Sequence, residues 1–395
     1  MFRSLSFLRL WTGTTASGVA TWSLPFILGL AVLERSVTAV ELGIVLAART
    51  AGFLAAVPVA GVLADRHDRR RVVLWAGLVA ALAAPVIALG MGRSVVVMAM
   101  AAAVVGAGQG ACRPAFQALT AEVVAEHQRQ QANAALTLSV RVTTLVAPGL
   151  TALLAVVVDT RVLLIATGVL WLGAALIPPA GAGRTPITTD GAGTRFTADF
   201  LDGIREARRH PWFLAGLGAL TAVIATGYSA TGVVLPLVSR DRYGTEAVLA
   251  AALTAYTLGA LVGAVLVARW TPRAQGWTAL AGLACYGFAP LSLLLPVPAV
   301  VVVAAYVLAG VGIELFNVPW FTATQREVDP RMLARVSSLD FLLSYGLAPV
   351  GLALIAPAIS HFGPEPVLAI CAAICFTAPA AAALVPSSRD FRAVR

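Results

Sequence analysis

Twelve apolar runs, each long enough to cross a lipid bilayer as one helix, govern what this chain can fold into. An α-helix rises ~1.5 Å per residue and the hydrocarbon core is ~30 Å thick, so about 20 mostly apolar residues make one span. Such runs lie near 9–33, 41–63, 72–91, 95–119, 133–157, 162–179, 211–237, 247–269, 276–296, 298–321, 336–359 and 366–386. Hydrophobic residues make up 59% of the chain and charged ones 12%, against roughly 45–50% and about 25% in a soluble domain. One soluble core cannot hide that excess. The fold class that follows is an all-α polytopic membrane protein with 12 transmembrane helices. The first run has no small-residue cleavage site after a short core, so it reads as a span and not as a removed signal peptide.

The charge distribution orients the spans. All 28 basic residues are arginine, and the net charge is +9. Cytoplasmic loops carry the Lys/Arg excess of membrane proteins. With the N-terminus inside, the inside segments hold most of the arginines, and the outside segments hold only Arg35, Arg93, Arg161, Arg240 and Arg242. The expected topology therefore has both termini cytoplasmic. The basic balance is a topology signal, and no basic helix or aromatic-interleaved basic patch points to nucleic acid. The all-arginine, alanine-rich composition suits a bacterial plasma membrane as the location. Cys112, Cys285, Cys371 and Cys375 all fall in apolar runs, which predicts buried thiols and no disulfide or zinc framework.

The chain divides into a first six-span bundle at 1–179, a linker at 180–210 and a second six-span bundle at 211–395. The stretch "AGAGRTPITTDGAG" is its least apolar part. After it, Phe196, Phe200, Ile204 and Ala207 recur at helical spacing, with Asp199 and Asp202 early and Arg208 and Arg209 late. That pattern predicts an amphipathic helix on the cytoplasmic surface. The halves resemble each other. "PAFQALTAEV" closes span 4 and "PWFTATQREV" closes span 10, and both read P-x-F-x-A-x-x-x-E-V. "LVAPGLTAL" in span 5 corresponds to "GLAPVGLAL" in span 11, which marks Pro148, Gly149 and Pro349 as hinge or packing positions. Parallel six-helix repeats place a binding site between them near the bilayer midplane and permit alternating access.

The charge itself is concentrated in "GVLADRHDRRR", between spans 2 and 3. Four arginines, two aspartates and a histidine fill 65–71. With twelve spans as 6+6 and a central loop, this stretch resembles the major facilitator superfamily, whose loop motif runs G-x-x-x-D-R/K-x-G-R-R. Gly61, Asp65, Arg66, Arg69 and Arg70 match it, and Asp68 stands where the family has a second glycine. The DRxDRR form, with "DGIREARRHP" before span 7, is similar to the multidrug and siderophore exporter branch, which includes enterobactin-exporter-like proteins. The resemblance implies that Asp65 docks on the N-terminal end of span 11, near "ARVSSLDF". A helix start there carries unsatisfied N–H groups and about half a positive charge. Such a contact would latch the halves on the cytoplasmic side. The alternative is a plain positive-inside loop. The chain also departs from the family. The branch's acidic residue in span 1 is replaced by Ala20 and Thr21. The family's span-4 arginine, three residues before "QG", is Gly106 here.

A charge inside the membrane costs at least ~2.5–3.5 kcal/mol and should face protein or a water-filled cavity. Arg113, Arg141, Glu314 and Asp340 sit in spans 4, 5, 10 and 11. Their distance from the ends of the apolar runs puts them roughly 6–12 Å below the cytoplasmic surface. Gln109 continues the Arg113 face and Asn317 the Glu314 face. Spans 1, 4, 7 and 10 line the cavity in the family, so Glu314 and Arg113 lead the proton-coupling and substrate set. Arg141 and Asp340 read chiefly as structural or gating groups. Glu314 can take up a proton when desolvated and release it beside an arginine. Static ion pairing and snorkelling to the interface are the competing explanations, and Arg49 reads as snorkelling or packing. Trp22, Tyr228, Phe316 and Trp320 are candidate cavity aromatics, with helix packing as their alternative.

These features predict a monomeric secondary exporter of small amphipathic organic compounds, energised by the proton gradient and without a cofactor or metal. Its partners are the small-molecule substrate, protons and the bilayer. An uncoupled facilitator or importer, and a transport-inactive membrane sensor, are the alternatives. Enzyme motifs such as H-E-x-x-H and G-x-S-x-G are missing from the sequence, as is a Walker loop.

Overall fold

The computed structural model describes residues 4–181, 196–270, 272–346 and 348–392. Residues 182–195 of the linker lie outside them. Among the described residues the chain is helical throughout, without strands. The first half runs α1 (Leu5–Leu33), α2 (Ala39–Arg66), α3 (Arg69–Gly90), α4 (Val95–Val123), α5 (Arg129–Ala155) and α6 (Thr160–Leu176). Then follows α7 (Phe196–Arg208), which carries Asp199 early and Arg205 and Arg208 late. The second half runs α8 (Pro211–Val223), α9 (Ser229–Asp241), α10 (Ala247–Arg269), α11 (Gln275–Ala284), α12 (Phe288–Leu294), α13 (Ala299–Glu327), α14 (Leu333–Gly346), α15 (Ala348–Phe362) and α16 (Pro364–Ala383).

Ten of these helical stretches are long and apolar enough to cross a membrane. Two shorter apolar helices, Thr160–Leu176 and Val350–Phe362, occupy the sixth and eleventh positions. Two spans expected as single helices are interrupted. In span 7, α8 and α9 are joined by one π-helical turn, Ile224–Tyr228. Hydroxyl groups take up carbonyls around it: Thr226 donates to Ala222 and Ser229 to Ile224. Side-chain bonds of this kind compete with the regular helical ladder. In span 9, α11 and α12 are joined by the 3₁₀ turn Cys285–Gly287. Pro290 has no N–H to offer the carbonyl four residues back, and the tighter turn accommodates the loss. Some other starts are capped by side chains. Thr38 and Glu41 form a reciprocal capping box on α2, and the Asp159 side chain caps α6.

The helices group into two compact units. The first comprises residues 1–132, 139–204 and 329–339, and the second 133–138, 205–328 and 340–395. Within the first, α2 and α3 pack on α4, α3 packs on α6, and α1 on α6. Within the second, α10 and α11 pack on α13, α11 packs on α16, and α8 on α16. Counted as spans, the pairs 2–4, 3–4, 3–6 and 1–6 recur as 8–10, 9–10, 9–12 and 7–12. The sequence repeat is thus a repeat of packing. The cysteines are free thiols, with Cys112, Cys371 and Cys375 buried.

The second unit has an aromatic centre. Trp212, Phe213, Phe316, Trp320 and Phe391 have essentially no exposed surface. The Trp320 ring stacks on Phe213 with centroids 4.9 Å apart and on Phe316 at 5.2 Å, and meets Trp212 edge-on at 5.5 Å. Phe316 and Trp320, expected as cavity aromatics, are corrected to packing residues. Their rings are used up by other rings, and none of their surface is left for a solute. Trp320→Ala should destabilise the detergent-solubilised protein by about 3–5 kcal/mol, the usual range for emptying a buried aromatic site. Thermal unfolding of the purified protein measures this.

Candidate functional site

The end of α2 carries the loop motif, and its geometry belongs to the first unit. Asp65 sits on the last turn of α2, and its side chain is fully enclosed. Its two oxygens accept the backbone N–H groups of Ala334 (3.0 Å) and Arg335 (2.9 Å). These are the second and third residues of α14, where N–H groups have no helical acceptor. One carboxylate therefore satisfies two orphan donors and sets its charge against the helix dipole. Gly61, one turn earlier, explains how close the helices come. A Cβ there would stand 2.6 Å from Ser338 Oγ and 2.9 Å from the Ala334 carbonyl oxygen. Ser338, within the stretch where span 11 was expected to begin, donates its hydroxyl to the Arg335 carbonyl at 2.7 Å.

The arginines divide into distinct tasks. Arg69 is buried, and it donates to Asp65 (3.4 Å), Glu122 (2.9 Å), the Ala118 carbonyl (3.0 Å) and the Pro330 carbonyl. It ties the starts of α3 and α14 to the end of α4. Arg70 donates to the Leu176 carbonyl and Arg9 to that of Ile177, so both cap the C-terminal end of α6. Asp68, the departure from the family motif, is the N-cap of α3. It accepts from the Arg70 N–H at 2.8 Å, with φ −57°, so no glycine is required there.

Arg66 reaches a residue the motif does not contain. It forms an ion pair with Asp199 on α7. Arg335 pairs with the same carboxylate at 3.4 Å and comes within 3.9 Å of Asp65. Gly203 lies beneath the Arg335 Cβ. The helix after the linker is thus part of the site. In sequence Asp199 is a dipole partner of its own helix, and nothing in the local pattern distinguishes it from Asp202.

The intramembrane charges lie deeper than the apolar runs suggested. α4, α5 and α13 continue past those runs through polar residues, as in "QRE" at the end of α13. Arg113 is ten residues from the end of α4, or about 15 Å. Arg141 and Glu314 are each within one residue of the middle of α5 and α13. Asp340 alone keeps the expected depth, seven residues into α14. Glu314 has no exposed surface. Asp340 is buried and accepts from Trp320 Nε1 (3.3 Å) and Ser344 Oγ (3.1 Å), so a tryptophan and a serine fix it within the second unit. Asn317, on the Glu314 side of α13, is half-buried.

Gln109 has a partner that the sequence reading assigned elsewhere. Arg49 Nη2 donates to Gln109 Oε1 at 2.7 Å and to the Thr21 carbonyl at 3.1 Å. Of the two readings open for Arg49, snorkelling and packing, the contacts agree with packing, because its guanidinium turns inward to α1 and α4. Among the aromatic candidates, Trp22 and Tyr228 keep exposed surface, 38% and 52%. Tyr228 closes the π turn of span 7, 6.5 Å from the Tyr286 ring. Tyr286 shares a hydrogen bond with Thr231 at 3.1 Å. Neither Tyr286 nor Thr231 was singled out by sequence, since a single aromatic in an apolar run carries no position signal. Pro148 is carried inside α5 without a break. Around Gly149 an added Cβ would meet nothing within 4 Å, so close packing is not its role. The Pro349 side chain lies outside the described residues.

A polytopic helical protein with two units of matching packing, and a carboxylate at the end of span 2 seated on the start of span 11, has the architecture of a membrane transporter. The Major Facilitator Superfamily profile matches residues 10–350, and the chain belongs to that family. Solved structures share the fold. The human organic anion transporter MFSD10 (TETRAN) aligns with a TM-score of 0.78 at 15% identity, covering 96% of this chain and 99% of that one. A bacterial homologue of the iron transporter ferroportin, in an outward-facing state with soaked iron, gives 0.74 at 16%, covering 95% and 98%. A single-site variant of the E. coli fucose:proton symporter FucP gives 0.69 at 15%, also covering 95% and 98%. No curated protein sequence gives a significant match to this chain. It is a transporter and not an enzyme.

Asp65→Ala leaves two buried N–H groups without an acceptor. The loss should be about 2 kcal/mol, the upper range for deleting a helix cap, read as a lower unfolding temperature of the purified protein. An equal or higher unfolding temperature would show that the cap contributes nothing.

Proposed function

We propose that this chain is a proton-coupled secondary exporter of small amphipathic organic compounds, of the multidrug and siderophore branch, working by alternating access. The observation that carries the reading is the double acceptance by Asp65 of the N–H groups at the start of α14. This contact stabilises one conformation of the transporter and must break in another. A latch with Asp65, Arg69, Arg335 and Asp199 as its charged members is a discrete, two-state element. The DRxDRR form of the motif and the sequence before span 7 support the exporter branch.

Glu314 is the proposed proton carrier. It lies at the middle of α13, on a span that lines the cavity in this family, and it is enclosed by protein. Arg113, Gln109 and Asn317 are the polar groups proposed to meet substrate, with Trp22 and Tyr228 as the aromatic surfaces still open. Asp340, held by Trp320 and Ser344, serves the stability of the second unit. The arginine distribution supports a bacterial plasma membrane location with both termini in the cytoplasm, and the protein is proposed to act as a monomer.

Proteoliposomes with an imposed pH gradient test the reading. The wild type should accumulate an amphipathic probe compound on the acidic side, and nigericin should release it. Glu314→Gln should abolish the dependence on the gradient. Asp65→Asn should lower the rate by about tenfold or more, a loss of order 1.4 kcal/mol in the transition, with an unchanged amount of protein in the membrane. Accumulation by the wild type that ignores the gradient would overturn proton-coupled export. Undiminished transport by Asp65→Asn would remove the latch.

A further inference from the structure

We infer that the C-terminal segment Pro386–Arg392 is a releasable strap. It sits on the second unit as a peptide ligand would, and it leaves and returns while the helices under it stay folded. The inference goes beyond the exporter reading and stands without it.

The first observation is what the strap holds. α11 begins at Gln275, and no side chain caps its start. The Arg389 carbonyl supplies the acceptor instead, taking the N–H groups of Gly276 (2.9 Å) and Trp277 (3.2 Å). These are the second and third residues of α11, the same two positions that Asp65 holds on α14. Arg326, on the last turn of α13, donates to the carbonyls of Asp390 (3.4 Å) and Phe391 (3.2 Å). The Arg389 guanidinium lies 5.7 Å from the centre of the Trp277 ring. Trp277 Nε1 in turn donates to the Ala383 carbonyl at the end of α16. One short segment thus ties together the ends of spans 9, 10 and 12.

The second observation is how the strap is anchored. Phe391 enters the aromatic centre of the unit, with its ring 5.2 Å from Trp212 and 5.7 Å from Trp320. Gly276 makes room for it. A Cβ there would stand 2.8 Å from the Phe391 ring and collide with the Ser388 carbonyl oxygen. The remaining hydrogen bonds to other helices are made by backbone carbonyls of the strap. One aromatic anchor in a pocket, with main-chain hydrogen bonds around it, is how a short peptide binds a protein.

The third observation is that docking is costly. Phe391 has φ +50°, in the left-handed region, which a bulky residue adopts only where its surroundings force it. The Ser387 and Ser388 hydroxyls are buried and make no hydrogen bond. Nor does the buried Trp212 Nε1, at the start of the helix on which the strap packs. Water would satisfy these groups once the strap lifts. The strap also follows an open joint, since Leu384 is 83% exposed. A segment held by one ring, strained at that ring and short of hydrogen bonds is the part of the unit that opens at least cost.

The test is maleimide labelling of the full-length protein in detergent, with the sites mapped by mass spectrometry. Ser388→Cys places a thiol in the strap, and Cys375 of α16, equally buried, reports deeper opening in the same molecule. The introduced thiol should label about a hundredfold or more faster than Cys375, as expected for local against global opening. Free peptide Pro386–Arg392 competes for the vacated groove, so at millimolar concentration it should raise that rate about threefold or more. The same peptide with Phe391→Ala should leave the rate unchanged. Phe391→Ala in the protein itself should raise the rate about tenfold or more, because the anchor is gone. Size-exclusion profiles check folding, and Ser387→Cys repeats the measurement if Ser388→Cys does not fold. The idea is overturned if the introduced thiol labels no faster than Cys375, if the peptide has no effect, or if the peptide with Phe391→Ala accelerates labelling as much.

Discussion

One carboxylate with two backbone N–H groups in its grip sets the terms for the rest of the molecule. A helix beginning inside protein must find acceptors for its first turn, because unsatisfied donors away from water are costly. α14 solves this with a residue far away in sequence. Asp65 can reach only if α2 runs against α14 without a side chain between them, which Gly61 allows. Burying Asp65 then demands compensating cations, and Arg69 and Arg335 supply them. Those cations need acids in turn, found in Glu122 and Asp199. Arg66, Arg69 and Arg335 thus face Asp65, Glu122 and Asp199, three charges against three. The dense charge of the loop motif is half of a balanced network whose other half comes from α4, α7 and α14.

The two units exchange short stretches of sequence in a reciprocal way. Residues 329–339 belong with the first unit and 133–138 with the second. Each stretch follows one copy of the repeated P-x-F-x-A-x-x-x-E-V segment. In the second unit Asn133 donates to Thr322 (2.9 Å) and Gln325 (3.0 Å), a polar contact built from neutral groups. In the first, the corresponding stretch makes the charged cap on α14. The repeat therefore provides equivalent crossings with different chemistry, one neutral and one ionic. Spans 5 and 11 are each divided between the two units.

The membrane fold was legible because its signal is long and redundant. Twenty apolar residues are hard to mistake. Gly61, Asp65, Arg66, Arg69 and Arg70 were legible through a spacing that matches a family. Three kinds of feature were not. Helix ends were drawn too short, because a span continues as helix through polar residues once its hydrogen-bond ladder is running, and this misjudged the depth of Arg113, Arg141 and Glu314. Pairings across helices, such as Arg66 with Asp199 and Arg49 with Gln109, leave no trace in local sequence. Aromatic roles were the third. Phe316 and Trp320 have the same spacing and composition whether they line a cavity or fill a core, and only the rings of Phe213, Trp212 and Phe391 decide it.

The two kinds of buried arginine in the first unit also differ physically. Arg69 is surrounded by acceptors, two of them charged, and it is the counter-charge of both Asp65 and Glu122. Replacing such a network by apolar groups would remove both signs together. Arg49 has no acid to sustain. An apolar residue there would spare the desolvation of a full charge, but it would leave the Gln109 oxygen without this donor. The helix contact at Gly106 is made by the Arg49 backbone and would survive a shorter side chain. What the guanidinium adds is a bridge of two hydrogen bonds from α2 to α1 and α4. Arg69 therefore balances charge, while Arg49 joins helices through neutral acceptors.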